Sequence, residues 1–184
     1  MLEMEYASDS LMNGTLQILV VDDHAIVREG VVGILVEAAW PWSIAQAAGG
    51  DDALVELGTR RTHLIVTDMS MPGLCGLDLI RRLHVGWPDL RILVLSMHAD
   101  VVLATRAFQA GAHGYLTKDH AGSELVDAVL RVAGGDNYMA RDIAEHATAS
   151  AVGKSWGGAN ASTPRAAARA ARGEGRQSAG RGFS

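Results

Sequence analysis

Ile18-Leu19-Val20-Val21-Asp22-Asp23-His24 decides the fold, because four β-rich apolar residues run straight into a pair of acids. A second stretch repeats the device: Leu64-Ile65-Val66-Thr67 runs into Asp68. Short runs with no polar alternation read as strands covered on both faces, which is the signature of a parallel sheet. Ligands of an open α/β sheet sit just outside the carboxyl ends of its strands. Three carboxylates delivered to that edge repel one another and stay ionised together when a cation joins them. Oxygen-only ligation suits Mg²⁺, which binds through one or two carboxylates plus phosphate oxygens.

Working outward, strand and helix signals alternate. Strands are expected near 17–21, 43–47, 63–67, 91–95 and 113–116, and helices near 25–38, 51–60, 75–84, 99–110 and 121–134. Asp51-Asp52 and Ser123-Glu124 put acids into first helical turns, and Gly111 and Gly134-Gly135 follow helices as stop signals. The alternation is (βα)₅, an α/β doubly wound parallel sheet with helices on both faces. The expected organisation is an N-terminal extension at 1–16, a domain at 17–136, a linker helix at 137–150 and a tail at 151–184.

Charge divides the chain. The net charge is −5, yet residues 151–184 carry Lys154, five arginines and only Glu174, which makes them +5 and the rest −10. An acidic body argues against that body gripping nucleic acid. The tail holds nine Ala and seven Gly, with Val152, Trp156 and Phe183 as its large apolar residues. That composition buries too little surface to offset ordering entropy, so disorder is expected there. Cys75 is the single cysteine, residues 1–16 lack the apolar core of a signal peptide, and no apolar run approaches the ~18 residues of a membrane span. A cytoplasmic protein with no membrane partner is the reading.

The candidate site assembles at the strand ends. Pro72-Gly73 turns the chain soon after Asp68, which lets the Ser70 carbonyl face the same cation. Ser96 ends the run Ile92-Leu93-Val94-Leu95, and Lys118 follows Tyr115-Leu116-Thr117. Three acids, a hydroxyl and an ammonium on one edge make a phosphoryl-transfer site, in which a carboxylate attacks phosphorus while cations neutralise the equatorial oxygens.

These residues, in this order and at this spacing, resemble the receiver domain of two-component response regulators. Val21-Asp22-Asp23-His24, Asp68-Met69-Ser70-Met71-Pro72-Gly73 and Gly111-Ala112-His113-Gly114-Tyr115-Leu116-Thr117-Lys118 resemble the NarL/FixJ (LuxR-type) branch. The resemblance covers about residues 16–136 and implies a flavodoxin-like fold. It implies Asp68 as phosphoacceptor, Asp23, Asp68 and the Ser70 carbonyl as direct Mg²⁺ ligands, and Asp22 as a ligand through water. It implies Ser96 and Lys118 as phosphoryl-binding groups, and Ser96 and Tyr115 as the switch, with Tyr115 following Ser96 into the core. A sensor histidine kinase is the implied donor, slow self-dephosphorylation is implied with it, and a homodimer is left open. The family often places a cis proline after the lysine. Here Asp119 follows Lys118, and a trans bond is expected.

Blander readings stand beside these. Asp22 and Asp23 singly would serve as capping acids, Ser96 as the cap of a helix starting near Ala99, and Tyr115 as packing. His24, His63, His84, His98, His113, His120 and His146 lack metal-ligand spacing and are read as non-ligands, although His98 stands near enough to Ser96 to modulate hydrolysis. Gly49-Gly50 lacks the lysine of a phosphate loop. The leading function is a phosphorylation-switched signalling module. The alternative is an intact NarL-type transcriptional regulator, since Tyr138-Met139-Ala140-Arg141-Asp142-Ile143-Ala144 resembles that family's linker into a helix-turn-helix and Ser162-Thr163-Pro164-Arg165 its entry. No amphipathic series follows Arg165, so sequence-specific DNA binding is not expected. The tail reads as a frameshifted or truncated output domain. A Mg²⁺-dependent phosphatase fits worse, because those enzymes carry Asp-x-Asp after the first strand.

Overall fold

The computed structural model describes residues 14–141 and 143–144. Residues 1–13 of the expected extension, residues 142 and 145–150 of the expected linker helix and the whole tail at 151–184 lie outside the described residues.

Strands β1 (Leu16–Val21), β2 (Trp42–Ala47), β3 (Leu64–Asp68), β4 (Arg91–Ser96) and β5 (Gly114–Thr117) alternate with helices α1 (Ala25–Glu37), α2 (Gly50–Thr59), α3 (Gly76–Gly86), α4 (Val101–Ala110) and α5 (Ala121–Ala133). A 3₁₀ turn at Lys118–His120 joins β5 to α5, and β6 (Tyr138–Met139) completes one sheet ordered β2-β1-β3-β4-β5-β6. Every pairing is parallel. The order places β2 on one side of β1 and every later strand on the other. The switch point therefore falls between the carboxyl ends of β1 and β3, where such sheets hold their ligands.

β3 is buried along its whole length, and the large apolar residues of β1 and β4 are buried with it. α1 contributes Val31 and Leu35 to this core, α3 Leu79, Ile80 and Leu83, and α5 Leu125, Val129 and Val132. α4 differs: its fully buried residues are Ala104, Ala107 and Ala110, three methyl groups along one stripe. Val101, Leu103 and Phe108 pack against the core from partly buried positions on the same helix. Asp100 caps it, accepting from the Val102 and Leu103 amides at 2.7 and 3.3 Å. The helix thus starts at Val101 rather than Ala99, and Ser96 is not its cap. At the other end Gly111 takes φ +114° in the left-handed region and ends the helix, as its position suggested.

The linker expectation needs correction. Residues 138–139 are a sixth strand, not helix. Without them β5 would be a bare edge with unpaired amides and carbonyls. The Tyr138 amide donates to the His113 carbonyl at 2.9 Å and the Ala140 amide to the Tyr115 carbonyl at 3.0 Å. The Tyr138 hydroxyl donates to Glu124 at 2.6 Å, and Ala140 and Ile143 are buried. β1 likewise begins at Leu16, one residue inside the expected extension.

Two histidines close neighbouring strand pairs at the amino ends of the strands. His63 precedes β3, and its amide donates to the Gln17 carbonyl at 2.9 Å while its Nδ1 accepts from the Gln17 amide at 3.0 Å. His113 precedes β5 and does the same with Ile92, at 2.8 and 3.2 Å. Only a neutral imidazole can accept. Burial, then the charge of Arg91 and then His84, bring His113 down to about 4. Burial and Arg61 lower His63 as well. The unfolded chain therefore binds more protons between about pH 6.5 and 4, and stability that is complete above pH 6.5 is lost as pH falls through that window. We expect the urea midpoint to fall between pH 7 and 5. His113→Ala should be less stable at pH 7 by about 1–2 kcal/mol and should show a shallower pH dependence. An unchanged slope in the variant would remove His113 from this role.

Candidate functional site: an acidic pocket at the switch point

β1 and β3 are direct neighbours in register, with Val21 opposite Thr67, so Asp22 and Asp68 leave adjacent strand ends together. Both are buried, with 2% and 3% exposure, while Asp23 is partly exposed. Lys118 arrives from the turn after β5. Its Nζ donates to Asp22 Oδ2 at 2.7 Å and stands 3.1 Å from Asp68 Oδ1. One ammonium thus bridges two carboxylates that would otherwise repel each other in a poorly solvated site.

The acids are not equivalent. Asp22 uses both oxygens within the protein: Oδ2 accepts from Lys118, and Oδ1 accepts the His24 amide at 2.8 Å. Asp23 Oδ1 and Asp68 Oδ1 are buried and lack a hydrogen-bond partner among the described residues; the Lys118 and His24 nitrogens near them sit at ion-pair distance without hydrogen-bond geometry. Orphaned anionic oxygens in a buried pocket are costly unless another cation meets them. Asp22, Asp23, His24 and Asp68 offer donor atoms all within 4.8 Å of one another. The residues therefore fit a small divalent cation, with Asp23 and Asp68 holding the open oxygens and Asp22 better placed to act through a water.

The other expected site residues fall around this centre. Ser70 is exposed, two residues beyond Asp68 in the loop 69–75. Ser96 is buried at the end of β4, where it lies opposite Thr117. Its Oγ accepts the His98 amide at 3.1 Å, and the His98 carbonyl accepts the Tyr115 hydroxyl at 3.0 Å. Ser96 and Tyr115 are joined through one residue's backbone. The Tyr115 ring is already fully buried, so entry into the core is not a movement left to it from this arrangement. Burial, first, raises its hydroxyl above the usual tyrosine range. No peptide bond among the described residues is cis, so Lys118–Asp119 is trans as expected.

Sequence reasoning missed two supports. Arg28, one turn into α1, donates to the Asp22 carbonyl at 2.6 Å and to Gln46 at 3.1 Å, tying β1, α1 and β2 together behind the acids. Gly50 opens α2 where a Cβ would overlap the Leu74 carbonyl, so only glycine lets the loop after Asp68 pack there. Neither role has a local signature, because both depend on contacts between separate elements.

Residues 18–130 match the response regulator receiver domain family. The chain belongs to that family. It is 37% identical over 130 residues to the response regulator UvrY of Escherichia coli K12, a match covering 71% of this chain and 60% of UvrY. It is 35% identical over 127 residues to the transcriptional activator protein ExaE of Pseudomonas putida, covering 69% of this chain and 59% of ExaE. A crystal structure of a LuxR-family two-component response regulator from Aurantimonas sp. SI85-9A1 superposes with TM-score 0.70 at 34% identity, over 76% of this chain and 99% of that one. The matched stretch thus spans about 60% of the length of these curated relatives. No helix among the described residues is long and apolar enough to cross a membrane.

If the pocket is held together against its own charge, removing one acid should relax it. In chelator, we expect Asp23→Asn to be more stable than wild type by about 1 kcal/mol. Adding Mg²⁺ should raise the melting temperature of wild type but not of the variant. Equal melting of both proteins with and without the ion would contradict the repulsion.

Proposed function

We propose that this receiver domain is a phosphorylation-driven switch that takes a phosphoryl group onto Asp68. The carrying observation is the buried Asp68 beside Asp22 and Asp23, with Lys118 ion-paired to both Asp68 and Asp22 and no hydrogen bond on Asp68 Oδ1 among the described residues. In transfer from a sensor histidine kinase, a carboxylate oxygen of Asp68 forms the new bond to phosphorus. The phosphorus–nitrogen bond of the donor phosphohistidine breaks, and its electron pair returns to the imidazole. Mg²⁺, when bound by Asp23, Asp68 and the Ser70 carbonyl with Asp22 behind a water, would neutralise charge on the transferred group. Lys118 would exchange part of its carboxylate contact for a phosphoryl oxygen, and the Ser96 hydroxyl would donate to another. That donation would turn Ser96 Oγ away from the His98 amide and shift the relay Ser96–His98–Tyr115.

A second reading is kept for the whole protein. ExaE is by name a transcriptional activator, and the segment Tyr138–Ala144 resembles the linker to an output domain. Regulation of transcription through a C-terminal region is therefore the alternative. Location in the cytoplasm, partnership with a kinase and dimer formation accompany the receiver reading as proposals.

Intact-mass measurement with a small acyl phosphate and Mg²⁺ should show one added phosphoryl group, about 80 Da, that is absent from Asp68→Asn and absent in chelator. Equal labelling of Asp68→Asn would defeat the assignment. Ser96→Ala should still be labelled, but hydrogen exchange in 97–110 and 113–117 should respond less than in wild type. An identical response would sever Ser96 from the switch.

A further inference from the structure

At the amino ends of β1 and β3, the other end of those strands from the acids, the charge has the opposite sign. An open cavity of about 450 Å³ lies there, lined by Gly14, Thr15, Gln17, Arg60, Arg61 and His63. No carboxylate among the described residues lines it. With six of the chain's 16 basic residues and one of its 21 acids in the tail, residues 1–150 hold ten bases against twenty acids. Two adjacent arginines on one cavity stand out against that background. Arg60 has Glu56 at 3.8 Å, a looser contact than the 2.9 Å of Arg81 to Asp78 and of Arg131 to Asp127. A concave surface of one sign concentrates ions of the other.

Every polar side chain on this lining can donate a hydrogen bond. The two guanidiniums are donors only, and Thr15 adds a hydroxyl. His63 Nδ1 accepts the Gln17 amide at 3.0 Å, so the neutral ring carries its proton on Nε2 and donates from there. Burial first, and then the Arg61 charge, keep that ring neutral at pH 7. Gln17 Nε2 donates to the Thr15 carbonyl at 3.3 Å, which leaves Gln17 Oε1 as an acceptor. A carboxylate offers two oxygens, and one arginine satisfies both in a bidentate pair. A phosphate monoester offers three oxygens and up to two charges, which matches two guanidiniums with an imidazole and a hydroxyl beside them. The volume falls within the range of small-ligand pockets, about 300–1,000 Å³, and leaves room beyond the phosphate for an organic body.

We propose that this cavity binds a small organic phosphate, a monoester whose body carries hydroxyl groups. Arg60 and Arg61 hold the phosphoryl oxygens, and His63 Nε2 and the Thr15 hydroxyl complete their hydrogen bonding. Gln17 Oε1 accepts from a hydroxyl of the body. The site is distinct from the acidic pocket, because Gln17 and His63 stand where β1 and β3 begin, whereas Asp22 and Asp68 stand where they end. Binding is reversible and transfers no group. An anion on His63 Nε2 polarises the ring and makes Nδ1 a stronger acceptor, so the Gln17 amide reports occupancy.

The test uses the full chain as wild type, as the double variant Arg60→Gln, Arg61→Gln and as Asp68→Asn. Both arginines are exposed, so glutamine there leaves the core intact. Amide NMR is recorded without Mg²⁺ at about 0.15 M salt, where nonspecific contacts with the tail arginines are screened. The probes are ribose 5-phosphate, inorganic phosphate, ribose and citrate. Ribose 5-phosphate should shift the amides of Thr15, Gln17 and His63 in wild type. It should bind the double variant about ten-fold more weakly or worse, and Asp68→Asn as tightly as wild type. Inorganic phosphate should bind less tightly than the ester, and ribose and citrate should barely shift these amides. Equal affinity in wild type and the double variant would overturn the proposal, as would absence of any shift in wild type or loss of binding in Asp68→Asn. Citrate binding as tightly as the ester would overturn the choice of phosphate, and inorganic phosphate doing so would overturn the organic body.

Discussion

The crowding of Asp22, Asp23 and Asp68 at one edge of the sheet is the constraint on which the rest depends. Parallel pairing of β1 with β3 brings their carboxyl ends together, and the reversal of strand order at that point leaves a crevice above them. A protein selected for stability alone would not bury this charge. The bridge from Lys118 offsets part of the repulsion and leaves two oxygens open. That incomplete compensation makes the pocket receptive to a cation and to a group carrying oxygen ligands of its own. The site is thus a stored electrostatic imbalance, and a change in its charge has somewhere to act.

Where it acts is set by a short chain of hydrogen bonds. Ser96 and Tyr115 lie on adjacent strands and are connected through the amide and carbonyl of His98. The Tyr115 carbonyl in turn receives the Ala140 amide from the segment that follows α5. In the proposed switch, a turn of Ser96 would reach β5 and the segment after α5 through these bonds.

The strand runs ending in Asp22-Asp23 and Asp68 were legible because buried parallel strands have continuous apolar sequences, and because acids at the ends of two such runs meet at one edge of the sheet. Lys118 and Ser96 were legible once strand order was assumed, since each follows its own strand. The missing pieces share a physical cause. Tyr138–Met139 is too short to show a period, and only the exposed edge of β5 makes it a strand. His63 and His113 act by accepting a backbone amide from another strand, which leaves no pattern in the sequence. Gly50 matters because of a carbonyl from a distant loop, and His24 joins the acids only because the chain turns sharply after Asp23. Local propensity is readable residue by residue, whereas contacts between elements need the fold.

The most direct test of the coupled pocket is two-dimensional amide NMR of the full chain, titrated first with Mg²⁺ and then with a small phosphodonor. The account predicts that Mg²⁺ alone perturbs amides at 22–24, 68–70 and 118. Phosphorylation should then add shifts at 96–98, 113–117 and 138–140, across the sheet from the acids. Shifts that stay at the acidic edge after full phosphorylation, or that appear first on α2 and β2, would contradict it.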